Sequence, residues 1–366
     1  MPFINDMLAE LNHARECADA APGPDPIPPA GPVSRFQFVP QEVMARLRAR
    51  IVGQDEALAV IESMLNLVKA DLGDPRRPLY VALLLGPTGV GKTEIIRVLA
   101  EAIHGSADAC CRIDMNTLAQ DHYAAAITGA PPGYVGSREG TTLLDLDLIQ
   151  GSFGRPGIVL FDEIEKAGKE VVRALLNVFD HGRLTLTSGA RTIDFRNTLV
   201  FMTSNLAERA IRRHEDGLRQ GWRRLLPVSG PARRRRLQRI MDAALHRSFD
   251  PEFINRIDRV VLFNSLDPET YDALIELELG RLNSRLTRSG WTVALDPAAR
   301  AWLVRRGYDR RFGARAVTRT FRHEVTAPLA EAMVRSTLQP VGAGGCVLVG
   351  RLESGCIRFH SGVEPA

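Results

Sequence analysis

The sequence predicts an α/β chain: a doubly wound parallel sheet, then a small, mainly helical domain that ends in a hairpin. Three observations carry this. Short apolar runs such as Tyr80–Leu85 and Ile158–Phe161 sit between turn residues, as buried parallel strands require. Segments of helical length and period separate them. After Leu266 the strand signals give way to two helix starts, Asp267-Pro268 and Asp296-Pro297, each a capping aspartate before a first-turn proline.

Taken in order, residues 1–40 read as a flexible, proline-rich tail. Phe3, Ile4, Met7, Leu8 and Leu11 fall on one helical stripe, so a short amphipathic helix is the sharper reading there. Pro22, Pro24, Pro26, Pro28, Pro29 and Pro32 then exclude helix and sheet. Residues 41–265 form the large α/β domain. It should hold a helix over 54–69, a strand over Tyr80–Leu85 and a helix from Lys92 to His104 stopped by Gly105. Further strands are expected at Ile158–Phe161, Thr198–Thr203 and Val260–Phe263. Residues 266–362 form the small domain. Its helices run from Pro268 towards Gly290, from Pro297 to Gly307, and from about Ala314 to Met333. A hairpin of Cys346–Leu352 and Cys356–His360 turns across Glu353-Ser354-Gly355.

Composition narrows the class. With 366 residues, 45% hydrophobic and 25% charged, the chain can bury a full core. Its longest strongly apolar stretch, around Tyr80–Leu85, is far too short to span a bilayer, so no membrane partner is expected. The first residues carry Asp6 and Glu10 rather than a basic-then-apolar leader, which points to a cytoplasmic location. The five cysteines lack paired-ligand spacing and read as reduced thiols, not a zinc site or disulfide framework.

Gly86-Pro87-Thr88-Gly89-Val90-Gly91-Lys92-Thr93 follows a buried strand and opens a helix. Glycines let backbone N–H groups curl round phosphates, and the helix N-terminus adds positive potential. Lys92 supplies a point charge for the β- and γ-phosphates, and Thr93 a hydroxyl for Mg²⁺. ATP with Mg²⁺ is therefore the expected cofactor pair. The run Ile158–Phe161 delivers Asp162 and Glu163 to a strand's C-terminal end, where open α/β sheets bind ligands. Asp162 would hold Mg²⁺, and Glu163 would orient and deprotonate the attacking water. Asn205 is a candidate amide for the water or the γ-phosphate.

These residues, with Ile51-Val52-Gly53-Gln54, Gly129-Ala130-Pro131-Pro132-Gly133-Tyr134-Val135-Gly136, Asp194-Phe195-Arg196-Asn197, Thr203-Ser204-Asn205-Leu206, Phe253-Ile254-Asn255-Arg256-Ile257-Asp258, Gly307-Tyr308-Asp309 and Gly313-Ala314-Arg315, carry a resemblance. Over about residues 40 to 350 the chain resembles the Clp-type AAA+ protein unfoldases, most of all the second ATPase ring of ClpB-type disaggregases. The resemblance implies that Ile51 and Val52 line the adenine pocket and that Asn205 senses the γ-phosphate. It implies that Arg256 is an arginine finger reaching a neighbouring subunit's site, which requires a ring, expected to be a homo-hexamer. Arg315 would be the second sensor, reaching from the small domain onto the nucleotide. Tyr134 and Val135 would line a central pore and grip polypeptide; an aromatic among glycines is exposed at small entropic cost.

The departures are equally specific. One P-loop means one ATPase module, without the first ring, the folded N-terminal domain or the coiled-coil middle domain of the larger relatives. The N-terminal tail with its short stripe is then all that remains for an unknown adaptor or for substrate delivery, and the stripe would dock on a partner or on the body of the protein. Coupling to a ClpP-like peptidase is not expected, because Asp216-Gly217-Leu218 lacks the first apolar residue of the docking tripeptide. Residues 207–248 are rich in arginine, including Arg233-Arg234-Arg235-Arg236. The plain reading is a solvated face or insert. The alternative is an AAA+ motor or loader acting on nucleic acid or another acidic partner, disfavoured because a polyanion would call for basic pore residues.

Overall fold

The computed structural model describes residues 34–118, 144–185, 192–206, 208, 230–309, 312–334 and 346–362, with side chains omitted at 230–237, 346 and 361–362. Contacts divide the chain into Met1–Ser34 and Arg35–Ala366, and the account below concerns the second unit. The stripe at Phe3–Leu11, Tyr134 and Val135, and Asp216–Leu218 lie outside the described residues.

Packed chain begins earlier than the tail reading placed it. Phe36 and Phe38, inside the segment read as tail, are buried. Helix α1 (Pro40–Arg50) then starts on Pro40. Helix α2 (Asp55–Lys69) buries Leu58, Ile61, Leu65 and Val68 along one side. Strand β1 (Tyr80–Leu85) leads through the phosphate loop into α3 (Lys92–His104). Strand β2 (Cys111–Asp114) is only four residues long and has no strand signal of its own. Helix α4 (Leu146–Gln150) precedes β3 (Gly157–Asp162). Helix α5 (Lys169–His181) buries Val171, Leu175, Val178 and Phe179. Then come the antiparallel pair β4 (Arg183–Thr185) and β5 (Thr192–Asp194), strand β6 (Thr198–Ser204), and helices α6 (Gly230–Ser248) and α7 (Pro251–Asn255). Strand β7 (Arg259–Leu262) starts one residue before its expected place.

Among the described residues, the main sheet has the order β2-β3-β6-β1-β7, and its pairings are parallel. Side chains alternate across it with period two. Ala82, Leu84, Ile158, Leu160, Leu199 and Phe201 pack with α1, α2 and α3 on one face. Val81, Leu83, Val159, Phe161, Val200 and Met202 pack with α5, α6 and α7 on the other. Both faces are therefore dry, which is why these strands read as unbroken apolar runs. The described part of α6 fits the plain reading of the arginine-rich stretch: Arg239 and Arg247 are exposed while Met241 and Leu245 are buried.

The small domain comprises α8 (Pro268–Leu286), β8 (Trp291–Leu295), α9 (Pro297–Gly307), α10 (Ala314–Phe321), a π-helical turn (Arg322–Thr326), α11 (Ala327–Val334), β9 (Cys346–Glu353) and β10 (Cys356–Gly362). Asp267 and Asp296 cap α8 and α9 as expected, accepting from the N–H groups of Thr270 and Ala299. Two features differ from expectation. The hairpin is part of a three-stranded sheet, because β8 runs parallel to β9 with Trp291 opposite Cys346. The helix expected over Ala314–Met333 is broken into three by the π turn, in which i→i+5 bonds widen the coil. Tyr271, Ile275, Val317 and Phe321 join the same buried cluster as α1–α3, so the core of the small domain is continuous with that helical layer.

Among the described residues no helix is long and apolar enough to cross a membrane. Cys110 and Cys356 are free thiols, and burial pushes the Cys110 and Cys111 thiols above the usual range.

Candidate nucleotide site

β6 lies between β1 and β3 in the sheet, so three strand ends converge at one edge. β1 brings the phosphate loop, β3 brings Asp162 and Glu163, and β6 brings Asn205. They open onto a cavity of about 610 Å³ lined also by Ile51, Val52, Thr88–Thr93 and Arg315. That volume suits a nucleotide-sized ligand. Gly86 and Pro87 do not line it; their carbonyls accept from Lys92 instead.

The loop conformation needs its glycines. Gly89 and Gly91 have φ values of +75° and +102°, a region that costs L-residues strain. A Cβ on Gly91 would meet nothing within 4 Å, which leaves open space where the loop faces its ligand. Gly89 faces the small domain: a Cβ there would strike the Phe312 carbonyl, and Gly89 O accepts from Ala314 N at 2.8 Å. The phosphate loop is thus bonded directly to the start of α10, which carries Arg315.

Lys92 is buried, and its ammonium donates to Gly86 O (2.7 Å), Pro87 O (2.8 Å) and Asn205 Oδ1 (2.7 Å). Burial pushes its pKa down to about 8, against the opposing pull of Glu208, Glu165 and Asp162. Phosphate charge would reverse that shift, so binding of ATP should draw a proton onto Lys92 at alkaline pH. Calorimetry in buffers of different ionisation enthalpy should show uptake that grows from pH 7.5 to pH 9 and disappears in Lys92→Arg. Uptake independent of pH would contradict the assignment. The same shift sets the sign for stability: with its pKa lowered, Lys92 makes the ligand-free fold more stable as pH rises from about 8 towards the usual lysine value.

Both acids are held by side chains that the sequence reading did not single out. Thr203 Oγ1 accepts from Glu163 N at 3.0 Å and donates to Asp162 Oδ1. Asn116 Nδ2 donates to Glu163 Oε2 at 2.6 Å, and Arg112 Nη2 donates to Asp162 Oδ2 at 2.6 Å. Glu163 sits in left-handed backbone at φ 57°, ψ 52°, which aims its side chain off the strand end at some strain. Asn205 is fixed from behind by its N–H to Glu165 Oε1 at 3.0 Å.

On the opposite wall, Arg281 of α8 ties Glu278 (3.1 Å) to Glu94 of α3 (3.0 Å), a bridge between the small domain and the phosphate-loop helix. Gln54 exchanges two hydrogen bonds with the Asn264 backbone, pinning the turn that carries Ile51 and Val52. Of the expected site residues within the described chain, Gly86 and Pro87 sit behind the cavity against Lys92, and Arg256 stands apart. It lines a separate surface pocket with Arg77, Asp180 and His181.

The donor set also suits Mg²⁺. Among the described residues no cluster of three or more acidic, His or Cys ligands forms a protein cage. Thr93 and Asp162 face the same cavity as the phosphate loop. Such a sparse set matches an ion that keeps waters and is shared with substrate phosphates.

A glycine loop on a helix N-terminus, facing paired carboxylates across one strand, defines a P-loop nucleoside triphosphatase. A family profile for an AAA domain (Cdc48 subfamily) matches residues 77–260, and one for the C-terminal, D2-small domain of ClpB protein matches residues 266–344. The chain belongs to the Clp-type AAA+ family of nucleotide-binding, ATP-hydrolysing enzymes and carries one such module. It is 50% identical to the ATP-dependent protease ATP-binding subunit-like protein AmiB of Pseudomonas aeruginosa, over 98% of this chain and 99% of that one. It is 42% identical to an ATP-dependent protease ATP-binding subunit-like protein of Rhodococcus erythropolis, over 96% and 97%. Identity to the chaperone protein ClpB of Nitratidesulfovibrio vulgaris is 38%, over 84% of this chain but only 34% of ClpB.

Proposed function

We propose that this protein is an ATP-driven unfoldase or remodelling chaperone that works as a ring, expected to be a homo-hexamer, and threads polypeptide through a central pore. One observation carries the ring. Apart from Pro87, the side chains expected from a subunit's own half of the site share one cavity, whereas Arg256 lies outside it with 43% of its side chain exposed. An arginine so placed is available to a neighbour.

In this reading Ile51 and Val52 hold the adenine, and the 86–93 loop holds the phosphates. Lys92 supplies charge, and Asn205 contacts the γ-phosphate. Thr93 and Asp162 would hold Mg²⁺, which when bound neutralises charge on the phosphates. Glu163 takes the proton of the attacking water. Arg315 reads nucleotide from the small domain, and the Gly89–Ala314 bond and the Glu94–Arg281 bridge pass its movement to the large domain. Tyr134 and Val135 apply that movement to the polypeptide. Substrate arrives through an unidentified adaptor, in the cytoplasm. A relative's name refers to an ATP-dependent protease. This chain nevertheless works apart from a ClpP-like peptidase, because Asp216-Gly217-Leu218 lacks the first apolar residue of the docking tripeptide.

The test is Tyr134→Ala. ATP turnover should persist, while ATP-dependent unfolding of a fluorescent protein with an unstructured tail should disappear. Unfolding at the unmodified rate would rule out the pore.

A further inference from the structure

Arg77 lies just before β1, far in sequence from Arg256, yet the fold brings the two together. Its guanidinium makes a fork. Nε donates to Phe179 O at 2.9 Å, and Nη2 donates to Arg256 O at 3.1 Å. Phe179 O belongs to the last turn of α5, where carbonyls have no partner within the helix. Arg256 is the C-cap of α7. Arg77 therefore ties the end of one helix to the cap of another. It is itself steadied by Asp258, 3.6 Å away, whose Oδ2 accepts from Val81 N of β1. Asp180, also in the last turn of α5, completes the arrangement. Its Oδ1 lies 2.7 Å from Arg256 Nε, an ion pair whose N–H points off the line to the oxygen. The Nε atom is buried, so the exposure of Arg256 belongs to other parts of its side chain.

We propose that Arg77 and Asp180 are positioning residues for Arg256: Arg77 fixes its backbone, Asp180 fixes its Nε, and the outer guanidinium is thereby presented to the neighbouring subunit's ATP. This rests on the reading of Arg256 as acting in trans. Only a planar fork reaches both carbonyls at once, which is why arginine rather than lysine serves at position 77. Because α5 follows the Asp162–Glu163 strand end, the clamp also joins a subunit's own site to the residue it lends.

Full-length Arg77→Ala, Asp180→Asn and Arg256→Ala are each assayed alone and after mixing, before assembly, with Glu163→Gln subunits. Alone, Arg77→Ala should lose about 10²-fold in turnover, the scale of misplacing a reacting group by about 1 Å, and should bind a fluorescent ATP analogue normally. Mixed, it should recover activity, because Glu163→Gln subunits bring an intact Arg77–Arg256 pair to competent neighbouring sites. A residue with a merely structural role within its own subunit would not be rescued. If Arg256→Ala is rescued and Arg77→Ala is not, the positioning role is wrong and the trans reading stands. If neither is rescued, the trans reading falls and this inference falls with it. Should Arg77→Ala fail to fold by thermal melting, Asp180→Asn, at a partly exposed carboxylate, answers the same question.

Discussion

Glu163→Gln should lower ATP turnover by about 10²–10⁴-fold, the usual contribution of a positioned general base, while nucleotide binding persists. The geometry says why the loss falls on chemistry. Glu163 N is anchored on Thr203 Oγ1, so the backbone bond does not depend on the side chain. A glutamine can still accept from Asn116 Nδ2 through its amide oxygen, so the local hydrogen bonding survives. The phosphate loop, Lys92 and Thr93 lie on a different strand end and are unchanged. What is lost is the carboxylate's capacity to take a proton. Single-turnover hydrolysis paired with titration of a fluorescent nucleotide separates the two effects. Turnover equal to that of the unmodified enzyme would exclude Glu163 as the base. The stalled variant should also retain substrate, and a pull-down with it would identify what the protein acts on.

The phosphate loop and the two carboxylates were legible in the sequence because each is local. Glycine spacing sets the loop's backbone, and an apolar run sets the strand that ends in Asp162. The residues that orient them were not legible. Asn116 reaches Glu163 across 47 positions and Thr203 reaches it across 40, by way of the sheet order β2-β3-β6. Nothing in the four residues of β2 announces a strand, and its neighbour is fixed only when the sheet forms. β8 escaped for the same reason: its partner β9 begins at Cys346, on the far side of α9, α10, the π turn and α11. Pattern reading finds residues whose role is set by their own segment. It misses those whose contacts are set by neighbouring elements, as the contacts of Arg77 and Asp180 are.

Arg256→Ala should give the larger loss, about 10³–10⁵-fold in turnover if it acts as arginine fingers do in related chemistry. That range corresponds to roughly 4–7 kcal/mol of transition-state stabilisation. The structural cost should be far smaller. Arg256 is 43% exposed and its partner Asp180 23% exposed, so water reaches both side chains although Nε itself is buried, and losing the pair should cost on the order of 1 kcal/mol. The substitution leaves a partly exposed carboxylate that water can reach, not a fully buried one. Melting temperature should therefore hardly move while turnover collapses, and this disparity separates a lent arginine from a structural one. Nucleotide affinity of the isolated subunit should also hold, because Arg256 lines none of the site cavity. For the unmodified protein, a finger acting between subunits makes turnover per subunit depend on protein concentration, falling on dilution as rings dissociate. For Arg256→Ala that dependence should vanish along with the activity. If the variant instead keeps turnover within about tenfold of the unmodified enzyme, too little for the transition-state role assigned to it, then Arg256 belongs to the subunit's own surface and the ring must be argued on other grounds.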